Sequence, residues 1–412
     1  MTELLFLRDA YLREFDATVL DVREDSVVLD RTAFYARSGG QEPDLGSIAG
    51  IEVADVGKYG QVIVHELKSP GPRPGEEVQC TVDAERRGIL MRHHTATHVL
   101  NGAARKLLGS WVWQHSAYKD LDKARLDITH HAHLSREEVQ TLEDMANDVV
   151  LRNLPVLKEV LPRGVAEAKY GFQIYQGGVV PGGEVRIQNI LDWDVEACGG
   201  THCSRTGEIG LIKILKTERI QDGIERLEFV AGKAALKHVQ SQAQTVAEVG
   251  QQLGAPPDKI TAAVVNNLQQ LDGLRKQQKA LLRRASQSLT AEIVDSAPSI
   301  DGIKMHISED QDLGDEIHIG IAEQAVTRNP ELIYSAFLLR DGRIRILIFS
   351  GKEAQKRGLH AGSLTREVAK LIGGSGGGDP GFGQGGGTLL EHLDEAKKSL
   401  EALVRKAVEA RH

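Results

Sequence analysis

The sequence predicts an α+β protein of several domains. These are a small N-terminal β-barrel over residues 1–88, an α+β metal-binding domain over 89–232, a helical or coiled-coil spacer over 233–295, and a C-terminal α/β glycine-rich domain over 296–412. Three observations carry this reading. Up to Pro74 the chain alternates apolar and polar residues in short runs parted by glycine-bearing turns, the habit of small barrels. Past Arg86, helical and strand-like stretches mix, and two pairs of candidate metal ligands fall about a hundred residues apart. From residue 233 a long charged helical pattern intervenes before strands and helices alternate again.

Composition sets the frame. The 412 residues include 41% hydrophobic side chains, enough for two to four cores. Three cysteines, at positions 80, 198 and 203, cannot form a disulfide framework, and there is neither a basic-then-apolar leader nor an apolar run of membrane length. A reducing, cytoplasmic setting without membrane contact is expected. A net charge of -8 argues mildly against non-specific nucleic-acid binding, so basicity must be sought locally.

In the first domain Val19 to Asp30 alternates and runs into Ser38-Gly39-Gly40-Gln41, while Ile51 to Val56 and Gln61 to Leu67 add strands before Pro70, Pro72 and Pro74 end the pattern. Ser38-Gly39-Gly40-Gln41 reads either as a hairpin turn or as a loop that lets a phosphate or ribose approach the backbone. By itself it decides nothing. Cys80 reads as a small buried side chain.

The second domain holds the stretch around which the chain is organised, Arg92-His93-His94-Thr95-Ala96-Thr97-His98, inside a helical run from Leu90 to Leu108. His94 and His98 stand four apart, so both imidazoles leave one face a turn apart. Cys198-Gly199-Gly200-Thr201-His202 repeats the spacing, with glycines that permit a tight loop. Either pair alone is more often a polar surface than a ligand set. Together they point to a tetrahedral zinc site of His94, His98, Cys198 and His202. His93 and Cys203 adjoin two of these, each aimed away from the face or loop that its neighbour uses. Trp111 to Tyr118 and Arg125 to Thr129 read as strands, which projects Gln114 from a sheet beside the histidine helix. Ser135 three residues before Glu138 opens a helix to Asn153 with a capping-box spacing. Val185 to Leu191 leads into the second ligand pair, and Ile209 to Leu215 and Arg226 to Val230 close the domain. His130, His131 and His133 read as a solvated turn, and Cys203 as a candidate labile thiol.

In the spacer Val264, Leu268, Leu271, Leu274, Leu281 and Leu289 recur at helical spacing, after a break at Gly254-Ala255-Pro256-Pro257. Arg275, Lys276, Lys279, Arg283 and Arg284 form either a solvated face or a track for nucleic-acid phosphates, which salt dependence of binding separates. Beyond Ala297, strands at Lys304 to Ile307, Ser335 to Leu339 and Arg343 to Phe349 alternate with helices at Asp315 to Arg328 and Leu364 to Leu371. The run from Gly373 to Gly387, with Asp379-Pro380, Phe382 and Gln384 inside it, reads as a shaped loop rather than a linker.

Residues 1–232 resemble the editing region of alanyl-tRNA synthetase and its free-standing relatives, the AlaX proteins, in their long form. The resemblance rests on Arg-His-His-Thr-Ala-Thr-His, Trp-Gln-His-Ser-Ala-Tyr from Trp113, Ala-Arg-Leu-Asp-Ile-Thr-His from Ala124, Ala-Cys-Gly-Gly-Thr-His from Ala197, and Thr206-Gly207-Glu208-Ile209-Gly210, in that order. The glycine run is similar to the signature of the synthetase's C-terminal domain, shared with DHH-type phosphoesterases (DHHA1-like). No Asp-His-His motif occurs, so that domain is read as a binding module.

The resemblance implies zinc on His94, His98, Cys198 and His202, and favours His94 over His93. It places the substrate-sorting polar residue on Gln114, with Thr97 a weaker candidate that could simply bond back to its own helix. It implies hydrolysis of Ser-tRNA(Ala), with Gly-tRNA(Ala) a second substrate, tRNA(Ala) as partner, and a homodimer formed through the C-terminal part. Met1 and a complete barrel are read as a free-standing enzyme without charging activity. The alternatives are a non-catalytic tRNA-binding or assembly module, and a synthetase fragment that edits only in cis. Zinc closed by four ligands would position substrate, whereas a three-ligand ion would hold water, and both versions stay open.

Overall fold

The structure, a computed structural model, describes residues 2–178 and 180–409; Met1, Val179 and residues 410–412 lie outside the described residues. The chain divides into two compact units, residues 1–251 and 252–412.

In the first unit, strands Glu14–Arg23, Ser26–Leu29, Val62–Leu67, Ile51–Tyr59, Gly46–Ile48 and Glu77–Val82 pair in that order and close on themselves. Alternation drives the closure, because Phe15, Ala17 and Val19 turn inward from one strand to meet Val53, Ile63 and Cys80. Phe34 fills the interior, and the segment after it leaves the barrel wall towards the next helix. That helix, Ala84–Leu108, starts ahead of the Leu90 read from periodicity, since Asp83 caps it by accepting from Glu85 N at 2.9 Å and Arg86 N at 3.0 Å. Arg87, fully buried on its first turns, holds Asp44 of the barrel segment and donates to Ala10 O and Ala33 O, each at 2.6 Å.

The helix packs on a four-stranded antiparallel sheet in the order Ile212–Gln221, Ile224–Ala231, Ala124–Thr129, Gln114–Lys119. Val99, Leu100 and Ala103 from the helix meet Leu126, Leu227 and Phe229 from the sheet. Helix Arg136–Arg152 carries the reciprocal Ser135–Glu138 capping box and covers the same core through Leu142, Ala146 and Val149. A second sheet of Val156–Pro162, Glu184–Ile190 and Asp194–Ala197 delivers Cys198 directly after its last strand. Helix Lys233–Leu253 follows.

The second unit opens with helix Ile260–Ser296, on which Leu268, Leu274 and Leu281 are each more than 60% exposed. Its sheet has six strands, in the order Ser299–Ile300, Ile303–Asp310, Leu332–Arg340, Arg343–Ser350, Phe382–Gly387, Ser375–Gly378. Both faces are buried. Ile333 and Phe337 point to helices Ala361–Leu371 and Leu393–Glu409, while Tyr334, Ala336 and Leu338 point to helix Asp315–Arg328. The glycine run is not the loop expected: Ser375–Gly378 and Phe382–Gly387 form a hairpin at the sheet edge, turned by Asp379, whose carboxylate accepts from Gly381 N at 2.7 Å and Phe382 N at 2.8 Å. Glycine is needed because helix Ala361–Leu371 lies against these strands. A Cβ on Gly383 would fall 2.2 Å from Thr365 Oγ1 and 2.5 Å from Ala361 O.

Candidate metal centre

Helix and loop bring the four expected ligands to one point. The donor atoms of His94, His98, Cys198 and His202 lie within 4.8 Å of one another. Cys198 Sγ is 3.3 Å from His94 Nε2 and 3.3 Å from His202 Nε2; ordinary zinc bond lengths at a tetrahedral angle put sulfur and nitrogen roughly 3.5 Å apart. Each ring's far nitrogen faces a protein oxygen. His98 Nδ1 faces Asp194 Oδ2 at 3.3 Å and Glu196 Oε2 at 3.5 Å, and His94 Nδ1 faces Gln41 Oε1 at 2.6 Å. His202 Nδ1 faces Thr95 Oγ1 at 3.3 Å, a hydroxyl whose proton already goes to Met91 O at 2.8 Å. With acceptors at the Nδ1 of His94 and His202, their Nε2 lone pairs converge on the sulfur, which is the arrangement metal-binding imidazoles need. The donor set therefore fits a metal ion.

For Cys198, His94 and His202 the electrostatics agree. Burial alone would raise the Cys198 thiol, but its interactions with the His94 and His202 rings outweigh that and hold the thiol well below its ordinary value, favouring thiolate. Burial holds His94 well below its usual value and takes His202 down to about 4, so both stay neutral ligands. Burial opposes protonation of His98 too, yet Glu196 and Asp194 carry it well above the ordinary imidazole value. Glu196 itself is pushed up to about 8 by burial and by its neighbour Asp194.

The neighbours of the ligands are accounted for. His93 turns to the opposite side, where its Nδ1 meets Asp120 O at 2.6 Å and its ring abuts Phe229 edge-on. Cys203 is buried with its thiol pushed up to about 12 by that burial, so it is not the labile group considered from sequence. Thr97 donates to His93 O at 2.8 Å, inside its own helix. Gln114 begins the sheet's outer strand: its N–H donates to Gln176 Oε1 at 3.0 Å and its carbonyl accepts from Gly177 N at 3.1 Å. Its own amide has no hydrogen-bond partner among the described residues. Gly177 makes room for that amide, since a Cβ there would lie 2.6 Å from Gln114 Nε2.

Several residues escape sequence reasoning. Asn101, one turn beyond His98 on a buried helix face, donates to Glu196 Oε1 at 2.7 Å and lies 3.4 Å from Gln176 Oε1, which links the metal side to the strand of Gln114. Arg186 clasps the second ligand loop through Cys198 O at 2.8 Å and Gly200 O at 2.9 Å. Gln41 reaches the centre from the barrel segment. Only the acidic pair Asp194 and Glu196, alternating in a strand just before Cys198, offered a signal.

Three family models match segments of the chain: tRNA synthetases class II (A) over residues 5–86, the threonyl and alanyl tRNA synthetase second additional domain over 185–228, and the DHHA1 domain over 306–406. The alanine–tRNA ligase of Nitrosopumilus maritimus is 44% identical over 407 residues, covering 98% of this chain and 44% of that protein. Over nearly its whole length the chain is similar to part of alanine–tRNA ligases. The ligase of Methanosarcina mazei is 41% identical over 403 residues, covering 96% of this chain and 43% of the ligase. The chain thus spans under half the length of the curated relatives it matches. The second-additional-domain match takes in Cys198 and His202, so the half of the ligand set that sits on a loop lies inside the shared segment.

Proposed function

We propose that this chain hydrolyses the aminoacyl ester of mischarged tRNA(Ala), releasing serine from Ser-tRNA(Ala) and sparing Ala-tRNA(Ala). The observation that supports it most is a buried three-histidine, one-cysteine centre linked through Glu196, Asn101 and Gln176 to a strand end whose Gln114 amide has no partner among the described residues. His94, His98, Cys198 and His202 would hold zinc, and a zinc closed by these four ligands would supply a positive charge that orients the ester, whereas polarising its carbonyl would need one ligand to give way.

The chain's own residues supply the sorting. Serine differs from alanine by one hydroxyl, and a site that hydrogen-bonds a hydroxyl rejects the analogue lacking it by on the order of 10⁴ to 10⁵. Gln114 is the group proposed to pair with it. Thr97, whose hydroxyl proton is committed to His93 O, serves in this reading as wall rather than partner. Residues 252–412 are proposed to engage tRNA or to pair subunits, through the glycine hairpin and the exposed leucines of helix Ile260–Ser296.

Purified chain should release serine from Ser-tRNA(Ala) faster than alanine from Ala-tRNA(Ala). Equal rates would remove the sorting role, and no release from either would remove the hydrolase. The 44% coverage of the relatives favours a second reading, in which the same chemistry works within a longer synthetase and needs the missing part to bring the tRNA 3′ end.

A further inference from the structure

Gln41 lies between two ligand-bearing elements while belonging to neither. It is fully buried, and its carboxamide is fixed at both ends. Oε1 lies 3.4 Å from Thr201 N and 2.6 Å from His94 Nδ1, and Nε2 donates to Thr201 Oγ1 at 2.9 Å. A backbone N–H can only donate, which identifies the atom facing it as the amide oxygen independently of the histidine. That oxygen is an acceptor, so His94 Nδ1 must carry the proton and Nε2 the lone pair turned towards Cys198.

The segment is strapped in place. Gln41 N donates to Ser38 O at 2.9 Å, Lys119 N to Gly40 O at 2.7 Å, Glu42 N to Lys119 O at 3.1 Å, and Lys119 Nζ to Gly39 O at 3.0 Å. Three residues beyond Gln41, Asp44 is tied to Arg87, which stands seven residues before His94 and so on the same face of the same helix. Gly200 leaves the space that the arrangement occupies, for a Cβ there would lie 2.1 Å from His94 Cε1 and 3.1 Å from Gln41 Oε1.

We propose that Gln41 is a positioning residue for metal capture: from the barrel segment it holds His94 as the Nδ1–H tautomer and ties that ring to the Thr201 loop. The inference rests on the metal reading above, but not on ester hydrolysis. It makes the barrel part of the metal centre rather than a separate module.

The test is zinc affinity of the full chain by competition with a chromophoric chelator, with the ligand-field spectrum of the cobalt-substituted protein as a second readout. Gln41→Leu keeps the volume and removes the acceptor, and should weaken zinc about 10- to 100-fold and perturb the cobalt spectrum. Gln41→Glu restores an acceptor for His94 and should return affinity to within a few-fold of wild type. Thr201→Val, which removes one anchor of the amide, should give a smaller loss and stands in if Gln41→Leu does not fold. Wild-type affinity in Gln41→Leu, or equal losses in the Leu and Glu variants, would overturn the proposal. A wild-type chain that binds no zinc would overturn it together with the metal reading, whereas zinc binding without deacylation would leave it standing and remove only the hydrolase.

Discussion

His93 and His94 are adjacent and chemically identical, and only the direction of each side chain separates them. His94 and His98 share a face that meets the Cys198 loop, whereas His93, a hundred degrees round the helix, meets Asp120 O and Phe229. The four-residue spacing in the sequence selects the His94 and His98 pair, and the resemblance to the editing family supports it. Gln114 is a different case, because its importance rests on the proposed pairing with the substrate hydroxyl. Gln114→Ala should lower the serine-to-alanine cleavage ratio by about tenfold or more while leaving tRNA affinity nearly unchanged. Parallel deacylation and binding assays measure the two effects, and an unaltered ratio would take Gln114 out of the sorting role. Gln41, Asn101 and Arg186 were illegible because each works through a contact made far along the chain, and a single glutamine, asparagine or arginine has no periodicity to betray it.

At the scale of elements, strands and helices were legible where burial is one-sided. The capping box at Ser135 and the helix Asp315–Arg328 show local chemistry agreeing with the fold. The glycine hairpin was not legible, since fifteen residues dominated by glycine carry no apolar alternation, and what makes them strands is backbone contact with a neighbouring helix. This has a direct test in the full chain. Gly383→Ala should destabilise residues 252–412 by about 1–3 kcal/mol through overpacking against Thr365 and Ala361. Gly377→Ala should be nearly neutral, since its nearest new neighbour is Arg366 Nη2 at 3.8 Å. Equal urea midpoints for the two variants would contradict this account of the hairpin.

The barrel offers a pH test at the same scale. His65 is fully buried between Thr32 and Val27 O, and burial takes it down to about 4. An unfolded chain takes up a proton there near pH 6.5 and the folded chain does not, so stability falls as pH drops from about 6.5 to 4. The loss is about 2 kcal/mol between pH 7 and pH 5. His65→Gln should remove that part of the pH dependence, measured as the difference between wild-type and variant urea unfolding at the two pH values. A difference that does not change with pH would refute it.

The whole molecule joins a barrel, an α+β domain carrying the candidate metal centre and a glycine-edged α/β unit in one chain that matches less than half of its synthetase relatives. Its mixed α+β, multidomain character was legible in the sequence because strand-like alternation and helical spacing both occur along it. The dependence of the metal centre on the barrel was not, since it rests on side chains that meet only after folding. No helix among the described residues is long and apolar enough to cross a membrane. The central claim is that the buried cluster of His94, His98, Cys198 and His202 makes this chain an ester hydrolase for mischarged tRNA(Ala). The most direct measurement is serine release from Ser-tRNA(Ala) by wild type and by Cys198→Ala, with bound zinc quantified in both. The account predicts zinc-loaded wild type that releases serine, and a folded variant that has lost both metal and activity. A folded Cys198→Ala chain that releases serine at the wild-type rate would contradict it.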